Sequence, residues 1–401
     1  MKVLYISHDG ITDHIGKSQV APYLLGLAAK RYQITVLSNE KNLTSDEIKE
    51  YKTLFNDSGI EWYINSYSNK IPILSPLLTS FRQYLLAKKV CTNSKFNMIH
   101  SRCYISTIIG YFLKRYLGNI KLLFDLRDFW IDTRIETRKL GFLYRFLKII
   151  EGNIFRNSDY FICLTEKAKK RIITMCKDFN CSSEVKVIPC CADLTLFDFN
   201  NVNEKEIDLL RKKEGLENRF VLSYLGSLGS DYLLKEMVET FKILKSIREE
   251  SKFLFISNNG EKQVIREFEN QSLSKDDLIF RTLKRRDVPK YLKLVDLSLI
   301  YIRSSQSKVG CSPTKLAELL GMGVPVIANS GVGDLDEILS MEANNSSCLK
   351  SFKLKDIEYS LSKFLDKRID KTRIRDFALK NFSLEVGINR YQEVYKTLSL
   401  D

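Results

Sequence analysis

The stretch SPTKLAELLGMGVPVIAN, residues 312–329, reads as a helix that starts abruptly and feeds a short buried strand. Ser312 suits an N-cap, and Pro313 suits the first helical position, where its missing N–H costs nothing. The free N–H groups of such an end, with the helix dipole behind them, attract a phosphate. Glu318 lies about one turn further in, where a carboxylate accepts hydrogen bonds from a diol such as ribose. A diphosphate place beside a diol place points to a nucleotide-sugar site; the plain alternative is an ordinary capped helix of an α/β domain. Either way the segment ends in the apolar run Val324 to Ala328, so helix leads directly into strand.

That helix-to-strand step recurs along the chain. Lys2 to Ser7, Gln33 to Ser38, Asn97 to His100, Lys121 to Asp125, Tyr160 to Leu164 and Val185 to Ile188 read as strands. Helices are expected between them at Val20 to Ala29 and Glu166 to Cys176. The pattern then restarts with strands at Phe220 to Leu225, Lys252 to Ser257, Leu278 to Arg281, Leu297 to Tyr301 and Val324 to Ala328, and a helix at Lys235 to Glu249. Alternation of this kind predicts parallel doubly wound sheets. The expected architecture is α/β, with two Rossmann-like domains facing across a cleft. Their bounds fall at 1–195, with a final helix 383–401 crossing back to this first domain, and at 196–382.

The whole chain agrees with a folded protein of two ordinary domains: 401 residues, 44% hydrophobic and 28% charged. The N-terminal apolar run is strand-sized and too short for a signal peptide, and no run reaches the roughly 20 residues of a membrane span. Nine cysteines without a C-x-x-C pair, and only three histidines, argue for reduced thiols and against zinc. A cytoplasmic protein is expected. The formal charge of +14 is uneven: between Ile71 and Phe124 there are eight basic residues and no acidic one. Such a field attracts nucleic acid, anionic lipid or phosphorylated ligands, and charge alone does not choose. No nucleic-acid module accompanies it, so nucleic acid is not an expected partner.

Six places carry chemistry. The loop from Gly10 through Gly16-Lys17-Ser18 follows a strand and precedes a helix. It has five residues between its glycines where a P-loop has four, so it is read as a loop approaching phosphate or sugar rather than a nucleoside-triphosphate cradle. His100 to Tyr104 and Asp125 to Asp128 follow buried strands, whose C-terminal ends gather functional side chains. There Arg102 offers a fork of donors to an anion, while Asp125 and Asp128 are hydroxyl binders, a base, or helix caps. Asp334-Leu335-Asp336 resembles a metal-holding D-x-D pair but begins a helix after a glycine turn, so capping is the stronger reading and no metal site is expected. Finally, Leu77, Leu78, Phe81, Tyr84 and Leu85 with Arg82, Lys88 and Lys89 pattern as an amphipathic basic helix. So do Phe142, Leu143, Phe146, Leu147 and Ile150 with Lys139, Arg145 and Lys148. Regions 76–90 and 139–156 are therefore either core-packed helices or seats on an anionic membrane surface.

With these residues in hand, the chain resembles the retaining glycosyltransferases of family 4, the two-domain GT-B type. The likeness runs nearly end to end: Gly16 to Val20 for the glycine loop, Ser158 to Thr165 and Val187 to Asp193 with Phe197 for the interdomain passage, Tyr224 to Gly229 for the opening of the donor domain, Ser312 to Gly333 for the donor signature, and Phe382 to Tyr395 for the final helix. The chain also departs from the pattern. Of the family's two glutamates separated by seven residues, Glu318 matches the second and Gly310 stands in place of the first. Ser227 stands where many members carry an arginine, and no lysine follows until Lys235. The family's sugar-contacting histidine falls near Arg102, with His100 two residues earlier.

The resemblance implies transfer of a hexose from a nucleotide diphosphate sugar of UDP or GDP type to a lipid-linked or oligosaccharide acceptor. It implies no metal, no cofactor, and a place on the inner face of the membrane in cell-surface glycan synthesis. His100, Arg102, Arg303 and Lys308 are the expected catalytic residues. Gly16, Lys17, Ser227, Arg285, Ser312, Thr314, Lys315 and Glu318 are expected at the donor. A nucleotide-sugar epimerase of the same fold, or a noncatalytic nucleotide-sugar-binding subunit, are the competing readings.

Overall fold

The computed structural model describes residues 1–67, 74–133, 141–365 and 369–400. Its chain divides into two compact units, Met1–Cys190 with Leu384–Asp401, and Cys191–Ser383. In the first, strands β1 (Lys2–Ser7), β2 (Gln33–Glu40), β3 (Glu61–Ser66), β4 (Met98–Arg102), β5 (Lys121–Asp125), β6 (Tyr160–Cys163) and β7 (Glu184–Val187) form a parallel sheet of order β3-β2-β1-β4-β5-β6-β7. The second unit repeats the plan with β8 (Phe220–Leu225), β9 (Ser251–Ile256), β10 (Leu278–Arg281), β11 (Leu297–Ile300), β12 (Val326–Asn329) and β13 (Ser347–Leu349), in the order β10-β9-β8-β11-β12-β13. Both units are Rossmann-like, with the strand order reversing between β1 and β4 in one and between β8 and β11 in the other.

The near-continuous apolar strands follow from burial on both faces. In β9, Phe253 and Phe255 enter one core cluster while Leu254 and Ile256 enter another on the opposite face. Successive side chains point to opposite faces of a strand, so one short run serves two cores. Leu222 of β8 pairs in register with Phe253 on one side and Leu297 on the other, which fixes the central strand by large apolar neighbours on each flank.

The sequence pattern misses two edge strands. β3, EWYINS, is mostly solvent-facing and buries only Asn65, and β13 has three residues. Edges need less apolar surface, so they carry a weaker signal. The last helix, Leu384–Leu400, belongs to the first unit, where the Tyr391 and Tyr395 hydroxyls reach Asp125 and His100. Among the described residues no helix is long and apolar enough to cross a membrane.

The helix Leu74–Asn93 holds Leu77, Leu78, Phe81 and Leu85 exposed, and Tyr84 packs edge-on to Phe112. In the helix Gly141–Asn157, Phe146 and Ile149 are exposed, while Ile150 is half-buried. Lys148 there is drawn inward by Glu151 and Asp132. Lys139 lies outside the described residues, as do the side chains of Phe142 and Leu143.

Candidate active site

Rossmann-like sheets bind ligands beyond the strand C-termini where strand order reverses. In the first unit this place closes on itself. Glu40, at the end of β2 and 1% exposed, accepts hydrogen bonds from the N–H groups of Ile11 (2.6 Å) and Thr12 (3.2 Å), from the Thr12 hydroxyl (2.6 Å) and from the Ser38 hydroxyl (2.7 Å). The loop after β1 therefore already holds a carboxylate where a phosphate or sugar was expected. Gly16 lies inside the short helix His14–Gln19, where a Cβ would fall 2.0 Å from the Gly10 carbonyl oxygen. Its role is close packing. Lys17 is tied to Glu47 at 2.5 Å.

The strand-end residues of this unit pair largely with one another, although His100 Nε2, Ser101 Oγ, Arg102 Nε and Arg127 Nε are buried without a hydrogen-bond partner. Arg102 is 5% exposed and donates to Asp9 at 2.8 Å, joining the loops after β1 and β4. His100 sits in the interior, with Nδ1 2.7 Å from the Tyr395 hydroxyl and Nε2 3.5 Å from Asp125. Burial lowers its pKa against the pull of Asp125, so the ring is neutral at pH 7. Asp125 accepts from Tyr391 at 2.9 Å and from Arg127 at 3.2 Å. Burial works against its ionised form, but Arg127 and His100 outweigh this and hold its pKa below the usual carboxylate range. His100, expected among the catalytic residues, is thus 1% exposed in its strand. The C-terminal helix covers it, a contact no local sequence pattern contains.

The second unit is arranged differently. The loops after β8 and β11 are zipped together by an antiparallel bridge between Tyr232 and Ile302 and by Arg303 N–H donating to the Asp231 carbonyl at 2.7 Å. Lys308 reaches across to the Asp231 carboxylate at 2.6 Å. Arg303 has an exposed side chain. Asn259 pins the loop after β8 by accepting from Leu228 N–H and donating to the Leu228 carbonyl, and Ser227 donates to Asn258 at 2.9 Å.

The helix of the opening stretch runs Thr314–Gly321, and Pro313, in extended conformation, takes the N-cap position. The start expected at Ser312 thus shifts one residue along. Pro313 supplies no side-chain acceptor, and the N–H groups of Thr314 and Lys315 lie in the first turn, where a helix has no partner of its own for them. Glu318 is 7% exposed and forms an ion pair with Arg285 at 2.7 Å, with the Arg285 guanidinium 5.0 Å from the Phe197 ring centroid. Arg375 fixes the other end of this helix: it donates to the carbonyls of Gly321 and Phe197, each at 2.7 Å.

Lys315 is the unusual member. Its amine lies 4.2 Å from the ring centroids of both Tyr224 and Tyr232 and has no hydrogen-bond partner. Burial pushes its pKa down to about 7, against the pull of Glu318 and Cys311. Each aromatic face returns about 0.5–2 kcal/mol to a cation, set against the several kcal/mol lost on leaving water. Tyr232, which lies in none of the quoted motifs, was missed by the sequence reading.

Asp336 accepts from the Gly331 N–H at 3.0 Å, in keeping with a turn-capping role. Among the described residues no group of three His, Cys, Asp or Glu side chains is placed to hold a metal. A cavity lined by Phe220, Arg248, Asp296, Phe364 and Lys371 opens at the opposite, N-terminal edge of this sheet, away from the loops just described.

Two Rossmann-like units in one chain define the GT-B class of folds. Residues 23–196 match the model of Glycosyltransferase Family 4. No curated protein matches the sequence significantly. Among solved structures the fold is similar to sucrose-phosphate synthase from Thermosynechococcus elongatus (TM-score 0.74, 14% identity, 100% of this chain and 99% of that one). It is also similar to HepE from Anabaena in complex with UDP and glucose (0.70, 16%, 100% of both). A third is WaaG, a glycosyltransferase involved in lipopolysaccharide biosynthesis (0.67, 13%, 96% and 98%).

Proposed function

We propose that the protein transfers a hexose from a nucleotide diphosphate sugar to a lipid-linked or polysaccharide acceptor in cell-surface glycan synthesis, with retention at the anomeric carbon and without a metal. The observation that carries this reading is the second unit's switch point, where an uncapped helix start, the buried Lys315 amine and the Arg285–Glu318 pair meet. HepE, which shares the fold, is known in complexes with UDP and with UDP-glucose. The family likeness supports the stereochemistry.

In this reading the acceptor hydroxyl oxygen bonds to the anomeric carbon on the face from which the diphosphate departs. The bond from that carbon to the diphosphate oxygen breaks, and the hydroxyl proton passes to the departing phosphate. The protein's work is electrostatic: charge grows on the diphosphate and is met by oriented N–H groups and cations. The Thr314 and Lys315 N–H groups with Lys315, Arg303 and Lys308 fill that role. Ser312 and Ser227 line the same loops, and Glu318, held by Arg285, keeps its second carboxylate oxygen for the ribose diol.

The exposed apolar side chains Leu77 (64%), Phe81 (57%) and Ile149 (62%), beside the basic residues of their helices, support a peripheral seat on an anionic membrane, on its cytoplasmic face. Pelleting with phosphatidylglycerol vesicles but not with phosphatidylcholine vesicles tests that seat.

A thermal-shift screen with UDP-, GDP-, ADP- and CMP-sugars tests the donor assignment, because only a tightly bound ligand raises the melting temperature strongly. One nucleotide class is expected to stand out, and a flat panel contradicts the reading. Product analysis with extracted lipid acceptors then separates transfer from epimerisation, which needs no acceptor, and from binding without turnover.

A further inference from the structure

The Lys315 amine is sealed in an unusual place. It lies beneath the loop after β8, where Gly226 adopts φ +118° and a Cβ would come within 2.9 Å of Nζ. Tyr224 faces it from β8 and Tyr232 from the following loop; Cys311 lies on the segment before the helix, and Glu318, bonded to Arg285, one turn further along. The Tyr224 hydroxyl is committed to the Ser227 carbonyl at 2.9 Å. Nothing in this shell accepts a hydrogen bond from Nζ.

A residue needed only to fill this space would be an unbranched apolar side chain of similar length, which fills it without a desolvated amine. The amine instead belongs to a residue whose own backbone N–H lies in the uncapped first turn of the helix Thr314–Gly321, the end that draws anions. Burial favours the uncharged amine while the site is empty, and a nearby anion reverses that preference.

Resting on the donor reading above, we propose that Lys315 is the proton-accepting half of the donor's anion site: seating a diphosphate at the helix start draws one proton from solvent onto Nζ, so donor binding is coupled to proton uptake. The nitrogen lone pair receives the proton, bulk buffer supplies it, and no bond of the donor is broken. The positive charge then offsets part of the diphosphate charge, in a place that holds no permanent ammonium when the donor is absent. Tyr224 and Tyr232 stay protonated in this range, since burial raises both, Tyr232 to about 12. The pH response is therefore assigned to Lys315.

Calorimetry on the full chain tests this with UDP-glucose, GDP-mannose and ADP-glucose, each titrated at pH 6, 7 and 8 in two buffers of different ionisation enthalpy. The diphosphates of these probes do not titrate in that range, so any proton taken up belongs to the protein. For the probe that binds, uptake is expected at about half a proton at pH 7, approaching one at pH 8, with Kd rising about fivefold between them. Lys315→Met, or Lys315→Gln if the first does not fold, is expected to lose both the buffer-dependent enthalpy and the pH dependence. Binding without buffer dependence in the unmodified protein, or unchanged uptake in the variant, overturns the proposal and leaves the donor reading standing. Binding of none of the three at any pH overturns both.

Discussion

The same strand order is used twice in this chain, and the loop N–H groups at the two switch points are met differently. In the first unit the loop N–H groups of Ile11 and Thr12 are answered by Glu40, Arg102 by Asp9, and His100 by Tyr395. In the second unit the corresponding place leaves a helix start without a side-chain cap and an amine without an acceptor. Buried polar groups are ordinarily satisfied; single atoms of His100, Ser101, Arg102 and Arg127 are exceptions in the first unit, and the Lys315 amine is one in the second. The contrast teaches that the Rossmann-like topology makes a ligand place available but does not oblige the chain to use it. On the proposed function, the anion goes to the unit in which no carboxylate of the protein already occupies that place.

Removing the internal anion is the largest way to break the contrast. Glu40→Ala leaves two backbone donors and two hydroxyls unanswered in a buried site, and is expected to lower stability by about 3–5 kcal/mol in chemical denaturation while donor affinity stays the same. A variant as stable as the parent would mean that the first unit is not closed in this way. In the second unit, Glu318→Ala is expected to weaken donor binding by about 2 kcal/mol, roughly 30-fold, with a smaller effect on folding. Unchanged affinity in calorimetry would remove Glu318 from the ribose.

A smaller effect concerns the ligand-free protein. The folded-state pKa of Lys315, about 7, lies below the value near 10.4 of an unfolded chain. Between those values the unfolded state binds more protons, so this residue's contribution makes stability rise with pH, by up to about 1.4 kcal/mol per pH unit. The contribution is lost as pH falls towards 7. Denaturant melts of the parent and of Lys315→Met at pH 7, 8 and 9 are expected to differ progressively, with the parent gaining relative to the variant as pH rises. Parallel curves would mean that the amine is charged throughout.

Much of the fold was legible because strands buried on both faces announce themselves. Lys121–Asp125, Phe220–Leu225 and Leu278–Arg281 stand where their apolar runs placed them. Glu61–Ser66 was not legible, since a solvent-facing edge strand has little apolar surface to display. The helix within 312–329 was legible from its start signals, although Pro313 moved the helix start by one residue. The fates of Arg102 and His100 were not readable: their partners lie 93 and 295 residues away in the chain. Tyr232 was equally hidden, because an aromatic beside a buried lysine has no sequence period. Long-range pairing, rather than local propensity, separates a functional strand end from a structural one.

Amide hydrogen exchange with and without the stabilising nucleotide sugar tests the central contrast most directly, because it reads both switch points in one sample. Slowed exchange is predicted at Gly226 to Leu233 and at Thr314 to Leu316, with Ile11 and Thr12 unchanged because Glu40 already holds them. Protection confined to the loop after β1 and to the end of β4, with none at the start of the helix Thr314–Gly321, would contradict the account.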